Sequence, residues 1–518
     1  MTTSLERSGL LIKGQSCDSG LVRTVSARSL ALLLGADPLP RPAYRGLADG
    51  IRRLVSDGRL LVGTRLPSER TLTSELGLSR TTVGAALDAL RDEGFLVTRR
   101  GSGSVVCLPP GPSGLALSRA GLIPTDVPPD VIDLTYAALP AAAGVTAAYE
   151  RALSELPRHL ATPGYHPHGL PEARAAVAAW FEGRGLPTTP EQVVMTSGAH
   201  AGLSAVLRAE LEVGDRVLIE SPTYPNAIVG VRRSSYRAVP TQLTAHGWDV
   251  DAMELGLRQS GARAAYLIPD HQNPTGLLMP ATTRRAVGAV LRAARAVPII
   301  DETFVELGLG PGVDGAAVDA PEEGAADESV AGRVLPFAAA APEAYTLGSA
   351  GKTWWGGLRV GWVRAPLGSV ERVIEARHSL DLGTAVLEQL VVVELLRQGE
   401  ALLAERRREA RARRDSLVRA LRRHVPEWRF TVPGGGLNLW CELPDDRGDD
   451  LARVAESAGV RLARGGQFGV EGGLGRFVRV PFCVAPDQAD EVGRRLAEAW
   501  RLALGERATT GEVSPLIA

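Results

Sequence analysis

Lysine is almost missing from this sequence. The 518 residues include 58 lysines and arginines, and only Lys13 and Lys352 among them are lysine, which leaves 56 arginines. A guanidinium can supply charge, solubility and most ion pairs, but it stays protonated. An amine that must lose its proton and attack a carbonyl cannot be replaced in this way. Lys352 is therefore a candidate for Schiff-base chemistry, although a few lysines survive by chance in any arginine-rich chain.

Cysteine is also scarce. The four cysteines are scattered and form no Cys-x-x-Cys pair, which argues against a disulfide framework or a metal site and fits a reducing compartment. The sequence has neither an apolar run of membrane-spanning length nor a signal-peptide pattern. We therefore expect a cytoplasmic protein without a membrane segment. A hydrophobic content of 45% and a net charge of −1 predict a globular chain, long enough for more than one domain.

The first quarter of the chain has the pattern of a winged helix-turn-helix. Apolar residues at helical spacing predict one helix from Tyr44, a second after the cap residue Ser68 and a third after Ser79. Two short strands around a glycine-containing turn follow at 95–106. Residues 44–106 contain ten arginines and seven acidic residues, so this part is basic within a nearly neutral chain. Such a surface suits phosphate, although the charge alone also allows a winged helix that contacts only protein.

The runs Leu66–Arg70, Leu78–Val83, Ala86–Gly94 and Arg100–Gly103 resemble the GntR-type DNA-binding domain along nearly its whole length. The resemblance implies double-stranded DNA as a partner. It also implies where the DNA contacts lie: Arg70, Ser79, Arg80, Thr81 and Thr82 around the second and third helices, and Arg100, Gly101 and Gly103 in the wing. Gly84 differs from many members, which carry a larger or cationic residue there.

Composition divides the chain further. We expect a flexible extension at 1–27, the DNA-binding domain at 28–107 and a linker rich in proline, glycine and serine at 108–130. A second domain is expected at 131–510, with a mobile insertion of glycine, alanine and acidic residues at 308–333. An arginine-dense stretch from Glu405 to Arg423 is interpreted as the solvated face of a helix.

The second domain is predicted to be α/β. Apolar strands alternate with helices, which favours a mostly parallel sheet covered on both faces, followed by a smaller α+β subdomain at the C-terminal end. The strands are predicted at 192–198, 216–222, 264–269, 297–301, 345–349 and 359–363. Ligands of such sheets bind beyond the carboxyl ends of the strands, and polar residues of this chain stand at those ends.

Together these polar residues fit one ligand, although each alone has an ordinary structural explanation. Lys352 offers an amine, Asp301 an acid for a ring nitrogen, and Arg359 a fork for phosphate. The ordered set resembles the fold type I aminotransferases and implies the cofactor pyridoxal 5′-phosphate. By this resemblance Lys352 forms the Schiff base, Asp301 holds the pyridine nitrogen, Asn273 holds the 3′ oxygen and Tyr224 stacks on the ring. The phosphate is expected among Ser197, Gly198, Ala199, His200, Ser349 and Arg359, and Arg479 is expected to bind a carboxylate of a substrate or effector.

Three positions depart from the aminotransferase pattern. Phe304 stands where many members have a tyrosine that hydrogen-bonds the 3′ oxygen, Gly351 replaces a frequent serine, and His200 stands where glutamine or threonine is common. The cofactor-binding set is retained, but the loss of the tyrosine hydroxyl favours sensing over turnover.

A GntR-type head joined by a linker to an aminotransferase-like body resembles the MocR-type regulators. This resemblance implies a transcriptional regulator that senses pyridoxal phosphate or a small amino compound, as a head-to-tail homodimer. The alternative is a working aminotransferase with a fused DNA-binding head. A third possibility is a regulator whose pocket responds to an amine without a covalent step.

Overall fold

The chain is described here from a computed structural model. The described residues are 24–35, 41–56, 60, 64–99, 103–107, 130–244, 247–310, 329–330, 333–470 and 473–510. They belong to two compact units, Met1–Asp130 and Val131–Ala518. Several of the expectations above fall outside the described residues: residues 1–23 of the extension, the wing residues Arg100 and Gly101, and the linker up to residue 129.

The described part of the first unit contains four helices and a β-hairpin. The helices are α1 (Ala27–Leu34), α2 (Ala43–Ser56), α3 (Glu69–Leu76) and α4 (Arg80–Asp92), and the hairpin pairs β1 (Leu96–Arg99) with β2 (Gly103–Val106). Hydroxyl caps begin α3 and α4, because Ser68 Oγ accepts from the Thr71 amide and Ser79 Oγ from the Thr82 amide. The apolar faces of all four helices meet in one core.

The first unit begins earlier than the expected boundary at residue 28. Thr24 forms a β-bridge with Arg65, and the Val25 amide donates to the Arg65 carbonyl at 3.2 Å. Ser26 then caps α1 with its hydroxyl. Leu30 is fully buried against the other helices. The last residues of the expected extension therefore belong to the packed unit, because their backbone and their apolar helix both find partners there.

In its described residues the second unit contains twelve further α-helices and fifteen strands. The helices are α5 (Val145–Glu155), α6 (Pro171–Glu182), α7 (Ala199–Glu210), α8 (Pro225–Arg233), α9 (Val250–Ser260), α10 (Ala281–Ala294), α11 (Phe337–Ala340), α12 (Ala350–Thr353), α13 (Val370–Arg377), α14 (Val386–His424), α15 (Gly448–Ala455) and α16 (Ala489–Thr510). The strands are β3 (Ile132–Asp133), β4 (Val193–Thr196), β5 (Arg216–Ser221), β6 (Arg237–Thr244), β7 (Gly247–Trp248), β8 (Ala264–Leu267), β9 (Val297–Asp301), β10 (Ser329–Val330), β11 (Arg333–Val334), β12 (Tyr345–Ser349), β13 (Gly361–Arg364), β14 (Asn438–Glu442), β15 (Val460–Arg461), β16 (Ala463–Arg464) and β17 (Phe477–Pro481).

The centre of this unit is an eight-stranded sheet in the order β4-β13-β12-β9-β8-β5-β6-β7. Only β13 and β7 run against the other strands, so the mostly parallel sheet expected from the apolar strands is confirmed. The central strands are buried because separate apolar clusters cover the two faces of the sheet. This topology brings the carboxyl ends of β5, β8, β9 and β12 to the same edge.

The smaller subdomain is built around the sheet β14-β17-β16 and shares one core with α15, α16 and the second half of α14. The short strand β3 pairs in parallel with β15. The first described residues of the second unit therefore join the small subdomain before the chain enters the large one.

The expectation of a solvated arginine face on α14 was wrong for part of that helix. Arg406, Arg413 and Arg414 are only 2%, 6% and 0% exposed. Their guanidinium groups donate to carbonyl groups of neighbouring loops: Arg406 to Thr353 and Pro140, and Arg414 to Gly310 and Pro433. A long stem with a five-donor head can cross an apolar layer and satisfy carbonyls that end other elements.

The first three residues of the insertion expected at 308–333 belong to the packed body of the unit. Gly308 forms a bridge with Gly435, and the Leu309 amide donates to the Gly434 carbonyl at 2.7 Å. These backbone bonds hold residues 308–310 in the body of the unit. At the other end β10 pairs with β11, and residues 311–328 and 331–332 lie outside the described residues. In the described part of the chain no helix combines the length and apolar character needed to cross a membrane.

Arg406 gives a test of this buried arginine layer. Replacement by methionine keeps an apolar stem but leaves the carbonyls of Thr353 and Pro140 without their donor. We expect Arg406→Met to lower the free energy of unfolding by roughly 2–5 kcal/mol, since each buried unsatisfied acceptor costs about 1–3 kcal/mol. Urea denaturation measures the change. The matched control is Arg408→Met on the exposed side of the same helix, and equal effects of the two variants would contradict the interpretation.

Candidate cofactor site

A cavity of about 150 Å³, open to solvent, lies at the edge where the parallel strands end. Asp301 is the last residue of β9 and Ser349 the last of β12, and Gly198 follows β4. The lining residues are Ala138, Gly198, Ala199, His200, Leu203, Tyr224, Tyr266, Ile268, Asn273, Asp301, Thr303, Phe304, Ser349, Gly351, Lys352, Gly356 and Arg359. Nine of the ten residues expected around the cofactor are in this set, and Ser197 is the exception.

Lys352 projects from the single turn of α12. Ser349 begins this turn, because its hydroxyl accepts from the Gly351 amide at 3.0 Å. The Lys352 Nζ atom donates to the Ala137 carbonyl at 2.8 Å and lies 5.6 Å from the centre of the Phe304 ring. Burial and the nearby positive charge of Arg479 lower the pKa of Lys352 from 10.5 to about 8. A useful fraction of the neutral, nucleophilic amine is therefore present near neutral pH.

Asp301 is held by two neutral donors. Its Oδ2 accepts from the Tyr266 hydroxyl at 2.6 Å and its Oδ1 from the Thr303 amide at 2.9 Å. The carboxyl group is only 7% exposed, and a buried carboxylate with neutral donors suits a protonated ring nitrogen. Tyr266 was not among the residues expected at the site. It lies opposite Ile299 in the β8–β9 register, on the same face as Asp301. The hydrogen bond between Tyr266 and Asp301 follows from the pairing of β8 with β9, which the sequence alone does not show.

Asn273 and Arg479 meet although they come from different subdomains. The Asn273 Oδ1 atom accepts from Arg479 at 3.4 Å and from the Asn438 amide group at 3.3 Å. Arg479 is 6% exposed, lies over the Phe468 ring at 5.0 Å and donates to the Thr135 carbonyl. Burial lowers its pKa to about 10.

Within the described part of the chain, no carboxylate balances the charge of Arg479. Its Nε atom is buried without a hydrogen-bond partner among the described residues, and no described acidic side chain forms an ion pair with it. A buried cation without a counter-ion is costly. A carboxylate of a bound molecule could supply both the charge and the bidentate hydrogen bonds.

The other end of the cavity suits an anion. Gly198, with φ of 102°, turns the chain from β4 into the N-terminus of α7, where amide groups are free to donate. A Cβ atom on Gly198 would lie 2.9 Å from Arg359 Nη2, so glycine allows this guanidinium to approach the turn. Arg359 donates to the carbonyls of Ser197 and Gly356 at 3.2 and 3.4 Å, which holds its head beside the amides.

The Ser197 hydroxyl has a different partner from the one expected. It donates to Asp381 Oδ2 at 3.2 Å. Asp381 in turn accepts from the buried Arg377 at 2.6 Å, and Arg377 also donates to the carbonyls of Pro167 and Met195. The Ser197 side chain thus ties the turn after β4 to the α13 end rather than lining the cavity. No local sequence pattern indicates this network, because Ser197 and Asp381 are 184 residues apart in the chain.

Tyr224 and His200 also line the cavity. Tyr224 lies at the start of α8, its hydroxyl accepts from Asn226 at 2.9 Å, and burial raises its pKa. Burial lowers the pKa of His200, which favours the neutral imidazole. Phe304 is 2% exposed, and its ring lines the cavity near Lys352.

In the first unit the expected DNA-contacting residues Ser79, Arg80, Thr81 and Thr82 form the start of α4, and Arg70 lies in the first turn of α3. Arg70, Ser79, Arg80 and Thr81 are exposed and Thr82 is partly exposed. The Ser79 hydroxyl also bonds the hydroxyls of Thr81 and Thr82 at 2.8 Å. Gly103 is the first residue of β2 in the wing. This end of the helix presents donors and cations to an anionic partner.

The comparisons with known proteins agree with both units. Residues 130–496 match the family model "Aminotransferase class I and II", and residues 43–106 match "Bacterial regulatory proteins, gntR family". The chain belongs to the aminotransferase class I and II family. It carries a gntR-type helix-turn-helix domain in front of that domain. Both resemblances found in the sequence are thus confirmed, and with them the pyridoxal phosphate cofactor of the aminotransferase fold.

Similar proteins include enzymes and regulators. The chain is 32% identical over 342 residues to a 2-aminoadipate transaminase of Thermus thermophilus, covering 65% of this chain and 80% of the enzyme. It is 30% identical over 419 residues to the pyridoxine biosynthesis transcriptional regulator PdxR of Corynebacterium glutamicum, covering 77% of this chain and 83% of that one. It is 29% identical over 447 residues to the probable rhizopine catabolism regulatory protein MocR of Rhizobium meliloti, covering 82% and 86%.

Among solved structures, the chain resembles LysN, an α-aminoadipate aminotransferase of Thermus thermophilus. The TM-score is 0.63 at 28% identity, with 76% of this chain and 98% of that chain covered. That enzyme was crystallised with N-(5′-phosphopyridoxyl)-L-leucine. The residues around the cavity of the present chain fit such a cofactor, since an amine, a buried acid and a cationic helix N-terminus surround one space.

The lowered pKa of Lys352 predicts how covalent loading of pyridoxal phosphate depends on pH. The neutral amine is the reactive form, so the rate constant should rise about tenfold per pH unit up to about pH 8 and then level off. In Arg479→Met the levelling should move to higher pH, because the guanidinium charge helps to lower the pKa. Stopped-flow absorbance measures the rate. Arg408→Met is the control, and a wild-type rate that still rises above pH 10 would contradict the assignment.

Proposed function

We propose that this protein is a DNA-binding transcriptional regulator that carries pyridoxal phosphate on Lys352 and responds to a small amino compound or to the cofactor itself. The observation that carries the proposal is the presence, in one chain, of a gntR-type domain and a cavity lined by nine of the ten residues expected around the cofactor. Full-length regulators of similar construction are related over most of their length. The proposal rests on this combination because neither unit alone distinguishes a regulator from an enzyme.

The DNA-binding head is proposed to act through α4. Its first turn would enter the major groove, with Arg70, Ser79, Arg80, Thr81 and Thr82 on phosphates and base edges. The wing residues Arg100, Gly101 and Gly103 would reach the adjacent groove. In the described residues no carboxylate forms an ion pair with Arg70 or Arg80, so both charges are available for phosphate.

The body is proposed to hold the cofactor through residues of one cavity. Lys352 would provide the amine, Asp301 the partner of the ring nitrogen and Asn273 the donor to the 3′ oxygen. Tyr224 would stack on the ring, and the turn at 197–200 with Ser349 and Arg359 would bind the phosphate. Bound pyridoxal phosphate supplies an aldehyde carbon and an electron-accepting ring. The protein's own residues orient this group and lower the proton affinity of the amine.

The effector is proposed to be an amine with a carboxylate. The amine would compete with Lys352 for the aldehyde carbon, and the carboxylate would balance the buried charge of Arg479. A ligand that binds in this way can shift the protein between two conformations only by its differential affinity for them. Pyridoxal phosphate alone is the second effector candidate, since PdxR is named for pyridoxine biosynthesis.

A homodimer with a head-to-tail arrangement is also proposed. Large apolar side chains are exposed on the second unit, including Leu160, Tyr165 and Leu382 at 71%, 67% and 59%. Where such side chains form one contiguous patch, they are typical of a surface that binds another protein. Light scattering of the purified protein tests the stoichiometry.

A working aminotransferase is the second candidate. Its support is the unbalanced charge of Arg479 beside Lys352 and Asp301, together with 32% identity to a transaminase. Phe304 argues for the regulator, because the cavity wall offers a ring where a hydroxyl would tune the cofactor oxygen. Sustained turnover with an amino donor and a keto acid would establish the enzyme, and a single half-reaction would not.

Arg80 tests the DNA-binding end. Arg80→Ala should weaken binding to an operator upstream of a neighbouring gene about tenfold or more at physiological salt. It should also reduce the slope of log K against log salt by about one, because one phosphate contact is lost. The matched control is Arg91→Ala, roughly 16 Å away at the other end of α4 and already paired with Asp88. Fluorescence anisotropy measures both, and equal losses would contradict the assignment.

Lys352 tests the cofactor end. The purified protein should show the visible absorbance band of bound pyridoxal phosphate, and amino acids that act as effectors should shift it. Lys352→Ala should lose the band and the effector response of operator binding. A normal effector response in Lys352→Ala would favour recognition of the amine without a covalent step. Absence of operator binding in the wild-type protein, with and without pyridoxal phosphate, would overturn the regulator.

A further inference from the structure

Residues 134–140 connect the two subdomains above the cavity. Leu134 and Leu139 are buried in the core of the small subdomain together with Phe304. A few residues later, Ala142 is buried in the core of the large domain. Ala138, between them, lines the cavity. This connecting segment is therefore the wall of the cavity that is nearest in sequence to the expected linker at 108–130.

Three cationic side chains hold the backbone of the connecting segment. The Thr135 carbonyl accepts from Arg479, the Ala137 carbonyl from Lys352 Nζ at 2.8 Å and the Pro140 carbonyl from Arg406 at 2.7 Å. Arg406 also donates to the carbonyl of Thr353, which is the residue after Lys352. Two of these three donors are the residues that the proposed function assigns to the cofactor and to the effector carboxylate.

Lys352 cannot serve the cofactor and Ala137 in the same way. When a neutral amine condenses with an aldehyde, a C=N bond forms, and both hydrogens of the amine leave with the carbonyl oxygen as water. These are the hydrogens that the Nζ atom can donate to the Ala137 carbonyl. After loading, the nitrogen belongs to a planar C=N group and carries at most one hydrogen, on protonation, so it no longer donates to the Ala137 carbonyl as the free amine does. Arg406 still holds the end of the segment at Pro140.

We propose that residues 134–140 are a latch that Lys352 holds while its amine is free and releases when the amine is bonded to the cofactor. A carboxylate bound at Arg479 would compete with the Thr135 carbonyl for the guanidinium donors, and this would also release the segment. The latch is placed to report occupancy, because β3 immediately before it starts two residues after the expected linker. This inference rests on the proposed binding of pyridoxal phosphate at Lys352 and adds the residues that respond to it.

Hydrogen exchange of the full-length protein, followed by mass spectrometry, tests the latch. In the wild-type protein, peptides covering residues 134–142 should exchange about tenfold or more faster after loading with pyridoxal phosphate, because the hydrogen bond from the Lys352 amine to the Ala137 carbonyl is lost. Peptides of the buried strand β8 serve as the internal reference and should not change.

Two substitutions of Lys352 separate the hydrogen bond from the covalent bond. Neither Lys352→Met nor Lys352→Arg can bond to the aldehyde, but arginine keeps a donor for the Ala137 carbonyl and methionine does not. Exchange in residues 134–142 should be fast in Lys352→Met and slow in Lys352→Arg, with or without pyridoxal phosphate. Thermal unfolding of both variants checks that they fold, and the wild-type comparison stands without them.

Two results would overturn the latch: wild-type exchange at 134–142 that is unchanged or slower after loading, or equal exchange in the two variants. The visible absorbance band and operator binding are measured on the same samples. Loss of operator binding alone would overturn the regulator and leave the latch standing. A normal band and normal operator binding with unchanged exchange would overturn the latch alone.

Discussion

The cofactor cavity depends on the parallel arrangement of β5, β8, β9 and β12. Because these strands run in the same direction, the residues that follow them meet at one edge of the sheet. Asp301 and Ser349 are brought together in this way, although 48 residues of chain separate them. The helices on both faces exclude water from the strands. The polar residues that follow the last apolar positions therefore lie together around the cavity at the edge of the sheet.

Arginine performs two jobs in this protein that look alike in the sequence. Arg406 and Arg414 are buried and satisfy carbonyl groups that end neighbouring elements, so they support the loops around the cavity. Arg479 is equally buried, but its charge lacks a described counter-ion, and it is therefore the one suited to a ligand. Burial alone does not separate a structural arginine from a binding one; the partners of the guanidinium do.

Lys352 connects the chemistry of the cavity to the backbone of residues 134–140. Its amine is shielded from water and lies near the cation of Arg479, which lowers its pKa and makes it reactive. The same amine donates to the carbonyl of Ala137 on the segment that leads out of the first unit in sequence. A residue that serves two partners in turn can convert occupancy of a cavity into a change of backbone order, which is what a sensor requires of a binding site.

The sequence by itself determined the local features of this protein. Local patterns predicted the caps at Ser68 and Ser79, the hairpin and the apolar strands, because these features depend on neighbouring residues and on fixed periods. The scarcity of lysine singled out Lys352. The resemblance to two families then supplied the roles of matching residues. Arg406 and its neighbours were misread because an arginine-rich helix has the same pattern whether its charged heads reach water or distant carbonyls.

Only the tertiary structure decided the pairs that join distant parts of the chain. Tyr266 and Asp301 are 35 residues apart, Arg406 and Pro140 are 266 apart, and Arg479 and Thr135 are 344 apart. The partner of the Ser197 hydroxyl was missed for the same reason. Such contacts are set by which strands are neighbours and how the subdomains close on each other. A single sequence contains no local signal for either.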